Sequence, residues 1–176
     1  MSYGFDPLMI LNYNIKIAIP FIFIWFLGFY VFFEKFLNIC AEITLWGDRQ
    51  FYREWWNSCN LKFFWSNWNM PVHNWICRHI YHPLVDARFS KTSSLAICFI
   101  VSAIYHEMII SVVFGSLKFW YFLTMIFQIP LIPLSNLISH KLGILFGKIF
   151  VWSCLIMGQS LLIIIYFAEF KSEYSI

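Results

Sequence analysis

The sequence predicts an all-α integral membrane protein with about four transmembrane helices and shorter interfacial helices among them. Three observations lead there. Of 176 residues, 61% are hydrophobic and 12% charged, with a mean hydropathy of +0.70, which is more apolar surface than one soluble core of this size can hide. Four segments (Ile17–Phe33, Leu95–Phe114, Phe119–Ile138 and Ile149–Ala168) approach the roughly twenty residues at about 1.5 Å rise that a bilayer demands. None carries the polar stripe at helical period expected of a helix in a soluble bundle.

The first span is the shortest, and it continues through Glu34 and Lys35 into further apolar sequence. It is too long, and lacks the small-residue cleavage site, for a secretory signal. The next stretch, from Trp46 to Trp75, holds six of the nine tryptophans among charges and amides. Amphipathic rings favour the headgroup region and Arg and Lys stems reach out beside them, so composition points to short helices lying on one leaflet. Pro71 opens such a helix at its first turn, and Pro83 discourages its continuation past His82. Within it Arg78 and His82 fall four apart, with Tyr81 adjacent. The third span contains Gln128 and is expected to kink at Pro130 and Pro133; the fourth contains Gln159.

Charge suggests an orientation. Between Trp46 and Thr92 six basic residues (Arg49, Arg53, Lys62, Arg78, Arg88, Lys91) face three acidic ones, and Lys141 and Lys148 flank the start of the last span. Both connections should be cytosolic. Sparser positive charge near Lys16, Lys118 and Lys171 puts the N-terminus, the turn at 115–118 and the C-terminus on the far side. An N-terminus placed there implies an odd number of upstream spans, so residues 1–176 are expected to be one incomplete domain. The net charge of +3 is small and scattered, which argues against nucleic-acid binding. Cys40, Cys59, Cys77, Cys98 and Cys154 form no C-x-x-C pair and read as reduced packing residues rather than a disulfide or metal framework.

The chemistry-bearing residues stand out against this background. In the second span, "LAICFIVSAIYHEMIISVVF", His106 and Glu107 are the side chains of the acidic and basic types. An intramembrane histidine is costly enough that a functional role is a reasonable default, although bonding to another helix is also common. Ser102, four residues earlier, shares its face. Glu107 points about 100° away from His106, toward either that imidazole or a polar group on another helix. A di-iron oxygenase would need several histidine boxes, whereas the nearest pair among five histidines is His79 and His82.

"GDRQFYREWWN" resembles the F-Y-x-D-W-W-N signature of membrane-bound O-acyltransferases of the diacylglycerol and sterol acyltransferase branch. "WNMPVHNWICRHIY" and "SAIYHE" match that branch's next two blocks in order, and the Pro-Val-His and Arg-His-x-Tyr details are closer to the type 1 diacylglycerol acyltransferases than to the sterol enzymes. The resemblance extends over nearly the whole chain and corresponds to the C-terminal part of a family member. Glu54 stands where the family's aspartate is usual.

The resemblance implies acyl transfer from acyl-CoA to the hydroxyl of diacylglycerol, with direct attack on the thioester rather than an acyl-enzyme. His106 is then the general base, Asn69, with Trp68 beside it, shapes the acyl-CoA site or caps the helix begun at Pro71, and Glu107 supports. His73 lines the acyl tunnel, and Arg78, Tyr81 and His82 meet the phosphates of coenzyme A. Ser102, Gln128 and Gln159 neighbour the chamber, and Phe51, Tyr52, Glu54, Trp55, Trp56 and Asn57 form the signature. No metal or cofactor is implied, acyl-CoA being a co-substrate. The implied partners are acyl-CoA, diacylglycerol or another lipid alcohol, and membrane lipids, with a homo-oligomer left open; the implied location is the endoplasmic reticulum membrane. A sterol acyltransferase and a truncated, non-catalytic membrane scaffold are the alternatives.

Overall fold

A computed structural model describes residues 7–174, except the side chains of residues 7, 10 and 170–174. Lys171, counted above toward the far-side charge, has its side chain outside that set. The described residues are helical with no strand, and four helices are long and apolar enough to cross a bilayer: Leu11–Ile43, Lys91–Phe114, Trp120–Leu142 and Ile144–Glu169. The chain divides into two compact units, one formed by the chain up to Arg49 together with Trp152 onward, the other by Gln50–Val151.

In the first unit, α1 (Pro7–Phe29) passes into a π-helical segment, Tyr30–Phe36, and then α2 (Leu37–Ile43) without a break. The first span therefore does not stop at Phe33. A π turn leaves backbone carbonyls without their usual donors, and the Asn38 amide donates to the carbonyls of Phe33 (3.3 Å) and Glu34 (3.0 Å). The Lys35 ammonium meanwhile sits over the Tyr30 ring at 5.1 Å. At about 1.5 Å per residue these 33 residues outrun a hydrocarbon core about 30 Å thick, so Glu34 and Lys35 need not lie in lipid. α8 (Ile144–Tyr174) packs against α1 through a buried polar clasp: the Ser160 hydroxyl donates to Asn14 Oδ1 at 2.9 Å, and Asn14 Nδ2 donates to the Met157 carbonyl at 3.3 Å. Phe26 meets Trp152 further along, so the pair is antiparallel.

In the second unit, an extended segment leads into a 3₁₀ turn (Trp55–Asn57), α3 (Leu61–Asn67), α4 (Met70–Ile76), a π segment (Cys77–Tyr81) and α5 (His82–Asp86). Three helix starts are marked by a polar side chain: Asn60 accepts from the Phe63 N–H, Asn69 from that of Val72, and Ser90 from that of Ser93 at the head of α6 (Lys91–Phe114). Pro83 does not end the helical run, contrary to expectation. The π register carries the His82 N–H to the Cys77 carbonyl, and the wider turn lets Pro83 fall in the first turn of a new α segment, where its missing N–H costs little.

α6 and α7 (Trp120–Leu142) form the main helical hairpin of this unit, and α7 runs through Pro130 and Pro133. Trp55 is 2% exposed and meets Phe64 edge-to-face, while Phe64 stacks on Trp68 and Trp65 meets Phe99 of α6. The interfacial tryptophans thus supply a core as well as a belt. Ser135 of α7, fully buried, accepts the Leu61 N–H at 3.0 Å and so ties α7 to the start of α3.

The opening of α8 approaches this assembly at Gly147, where an added Cβ would overlap the Cys59 carbonyl oxygen and lie 2.9 Å from Ser139 Cβ. Backbone cannot step aside as a flexible side chain can. Gly147→Ala is therefore expected to destabilise the protein by about 1–3 kcal/mol, read as a lower melting temperature in detergent; an unchanged melting temperature would contradict this packing.

Candidate active site

His106 is half-buried on α6, and its Nδ1 lies 2.7 Å from the Ser102 carbonyl oxygen, one turn back. A carbonyl oxygen only accepts, so Nδ1 carries the proton and Nε2 keeps its lone pair. The Ser102 hydroxyl lies 3.4 Å from the same nitrogen, a long and weak addition. Sequence spacing had paired Ser102 with His106, and the structure brings them together chiefly through the serine's backbone.

Glu107 is 3% exposed and turned toward the head of α7. Its Oε1 accepts from the backbone N–H groups of Lys118 (3.2 Å) and Phe119 (2.7 Å), and its Oε2 from that of Phe122 (3.1 Å). Of the two partners the sequence left open, the carboxylate takes a polar group on another helix: the unsatisfied N–H groups at a helix start. Phe119 sits at φ 64°, a left-handed conformation costly for a bulky side chain, and the 2.7 Å bond holds it there. Gly115, at φ 66°, ends α6 without that cost.

Asn69 caps α4, with Oδ1 accepting the Val72 N–H at 3.2 Å. Capping occupies the oxygen and leaves Nδ2 to donate. His73, one turn on, is half-buried, with Nε2 3.6 Å from Cys77 Sγ. Burial, followed by the nearby Arg53 guanidinium, lowers the His73 pKa. Burial raises that of the Cys77 thiol. Arg78 and His82 are exposed, whereas Tyr81 is half-buried with its ring edge-to-face against His82. Gln128 of α7 is half-buried in this unit; Gln159 of α8, also half-buried, belongs to the first unit.

The signature segment is joined to the W-N-M-P block through the backbone. The Phe51 carbonyl accepts the Met70 N–H at 2.9 Å, and the Arg53 N–H donates to the Asn67 carbonyl at 2.8 Å. Phe51 and Trp55 are buried, Tyr52 is half-buried with its ring tilted against Trp56, and Trp56 is exposed. Asn57 donates to Glu54 Oε2 at 3.2 Å and lies 3.4 Å from the Lys148 ammonium. Lys148 counted in the sequence only as an orientation charge, and Ser135 did not stand out at all. Their partners lie 91 and 74 residues away, so no local pattern signals them.

The sequence profile of the membrane-bound O-acyltransferase family matches residues 6–168. The chain belongs to that family. It is 44% identical over 168 residues to diacylglycerol O-acyltransferase 1 of Dictyostelium discoideum, covering 96% of this chain and 27% of that protein. It is 38% identical over 169 residues to diacylglycerol O-acyltransferase 1 of Arabidopsis thaliana, covering 96% and 32%. Against diacylglycerol O-acyltransferase 1-2 of Oryza sativa the identity is 39% over 157 residues, covering 88% and 33%. The chain thus spans a third or less of the length of these relatives.

The lowered pKa of His73 carries a stability consequence. Unfolded, this imidazole binds a proton at its ordinary value of 6.5, and folded it resists doing so, so the unfolded state holds more protons between the two values. Stability is expected to fall as pH drops through that window and to level off below the folded value. Melting in detergent between about pH 7.5 and 5 should show this loss, smaller in His73→Gln; an equal loss in both would contradict it.

Proposed function

We propose that this chain carries the acyl-transfer centre of an enzyme that moves an acyl group from acyl-CoA to the free hydroxyl of diacylglycerol, giving triacylglycerol, in the endoplasmic reticulum membrane. The single observation that carries the mechanism is the hydrogen bond from His106 Nδ1 to the Ser102 carbonyl, which leaves Nε2 as a fixed proton acceptor. Nε2 takes the acceptor hydroxyl's proton as that oxygen attacks the thioester carbonyl. The tetrahedral adduct then expels coenzyme A as thiolate, which recovers the proton from the imidazolium. A thioester is activated enough to need no metal. The alcohol dissolves only in the bilayer, which accounts for a base carried on a transmembrane helix.

The remaining roles follow the chemistry of the groups. Asn69 Nδ2 is free to donate toward the thioester end of acyl-CoA while Oδ1 caps α4. Arg78, His82 and Tyr81 offer cations and a phenol for the coenzyme A phosphates. Membership of the family supports acyl transfer, and the relatives' names support diacylglycerol as the acceptor.

The test is transfer from labelled oleoyl-CoA in membranes of cells lacking lipid droplets that express the chain, with diacylglycerol and sterol offered separately. Triacylglycerol is expected, falling by at least about a hundredfold in His106→Ala, as befits loss of a general base. Sterol ester in its place would move the acceptor and keep the mechanism. No product from a chain shown to be inserted and folded would overturn the proposal.

A further inference from the structure

Cys77 is a nucleophile that the proposed mechanism does not use. Its Sγ lies 3.6 Å from His73 Nε2, one helical turn back, which is within hydrogen-bond reach for sulfur. Among the described residues it is the one thiol so placed against an imidazole, and both side chains keep part of their surface open, whereas Cys98 is buried. A base held against a weak nucleophile is the arrangement that makes it reactive. Burial raises the Cys77 thiol and, followed by the Arg53 guanidinium, lowers His73. At neutral pH the pair is therefore a thiol beside an uncharged imidazole, and in the tautomer with its proton on Nδ1 that ring accepts Sγ–H at Nε2.

The surroundings indicate what such a thiol meets. Cys77 lies where α4 passes into the π segment, and Val72 and Trp75 of α4 leave large apolar side chains exposed, a surface on which an acyl chain can lie. No Asp or Glu occurs between Trp55 and Val85 to repel an anionic headgroup, and Arg78 follows the thiol directly. We propose that Cys77 is a self-acylation site that takes an acyl group from a long-chain acyl-CoA, with His73 as the base. His73 Nε2 takes the Sγ proton as the sulfur attacks the thioester carbonyl. The bond from Sγ to the acyl carbon forms and the bond from that carbon to the coenzyme A sulfur breaks. The departing thiolate recovers the proton from the imidazolium, leaving S-acyl Cys77 and free coenzyme A. One thioester replaces another, so the step balances without an oxidant or a metal. The identity of the acyl donor rests on the proposed function, whereas the thiol and imidazole pair does not; transfer to diacylglycerol still proceeds by direct attack, and S-acyl Cys77 lies off that route.

The test incubates the full chain in detergent with an alkynyl palmitoyl-CoA and reads the label at each cysteine by peptide mass spectrometry, before and after neutral hydroxylamine, which cleaves thioesters and spares oxyesters. The expected result is hydroxylamine-sensitive label at Cys77, absent in Cys77→Ala and formed faster than at the likewise half-buried Cys40 and Cys59. His73→Gln should slow it by about a hundredfold, an ordinary contribution of a general base. Alkylation by iodoacetamide needs no acyl-CoA site, so it separates a base from a residue that only shapes the binding surface, and His73→Gln should slow it at Cys77 as well. Slower acylation with unchanged alkylation would overturn the role of His73. Equal labelling of Cys77, Cys40 and Cys59, or no label at Cys77 in a folded parent, would overturn the site. A parent that labels Cys77 yet forms no triacylglycerol would refute the proposed function and leave self-acylation standing, and one that forms triacylglycerol with Cys77 unlabelled would do the reverse.

Discussion

The Glu107 carboxylate, buried at the head of α7, is the interaction on which the rest of the second unit depends. Three backbone N–H groups that no helix can satisfy internally converge on it. Hydrogen bonds to a charged acceptor contribute about 1.5–3 kcal/mol each, and a buried amide left without one costs about 1–3 kcal/mol. The positive end of the α7 dipole adds a favourable field. Against this stand the desolvation of the carboxylate and the left-handed backbone at Phe119, of order 1–3 kcal/mol. The favourable side wins only while all three donors are engaged, which fixes the turn between α6 and α7 and with it the rotation of α6.

That rotation is what aims His106. Adjacent helical residues diverge by about 100°, so a helix pinned through Glu107 presents His106 on a neighbouring face instead of into the α7 contact. The imidazole is then oriented by the Ser102 carbonyl, a backbone group that moves only with the helix. Asn69 follows the same economy, since one end of its amide starts α4 and the other remains available. Under the proposed function the same polar residues would serve both architecture and chemistry.

Much of this was legible in the sequence. Run length and purity located the four spans, because the bilayer imposes one local requirement on each. The Asn-Met-Pro spacing marked both Asn69 as a cap and the first turn of α4. His106 stood out as an ionisable group in an apolar helix. What was not legible depended on partners distant in the chain or on helical register. Glu107 finds its donors across a turn, at Lys118 and beyond. Pro83 read as a stop because the π turn before it, which relieves its clash, has no sequence signature. The first span ran past Phe33 because Asn38 mends the π register there. Gly147 looked like any glycine until the Cys59 carbonyl was placed beside it.

The most direct test of Glu107 as the organising contact is amide hydrogen exchange across residues 115–123 in Glu107→Ala beside the parent, both in detergent. The account predicts that protection at Lys118, Phe119 and Phe122 collapses in the variant while the middle of α7 stays protected. Unchanged protection at those three amides would show that the hairpin is held by packing alone, and that the orientation of His106 does not depend on the carboxylate.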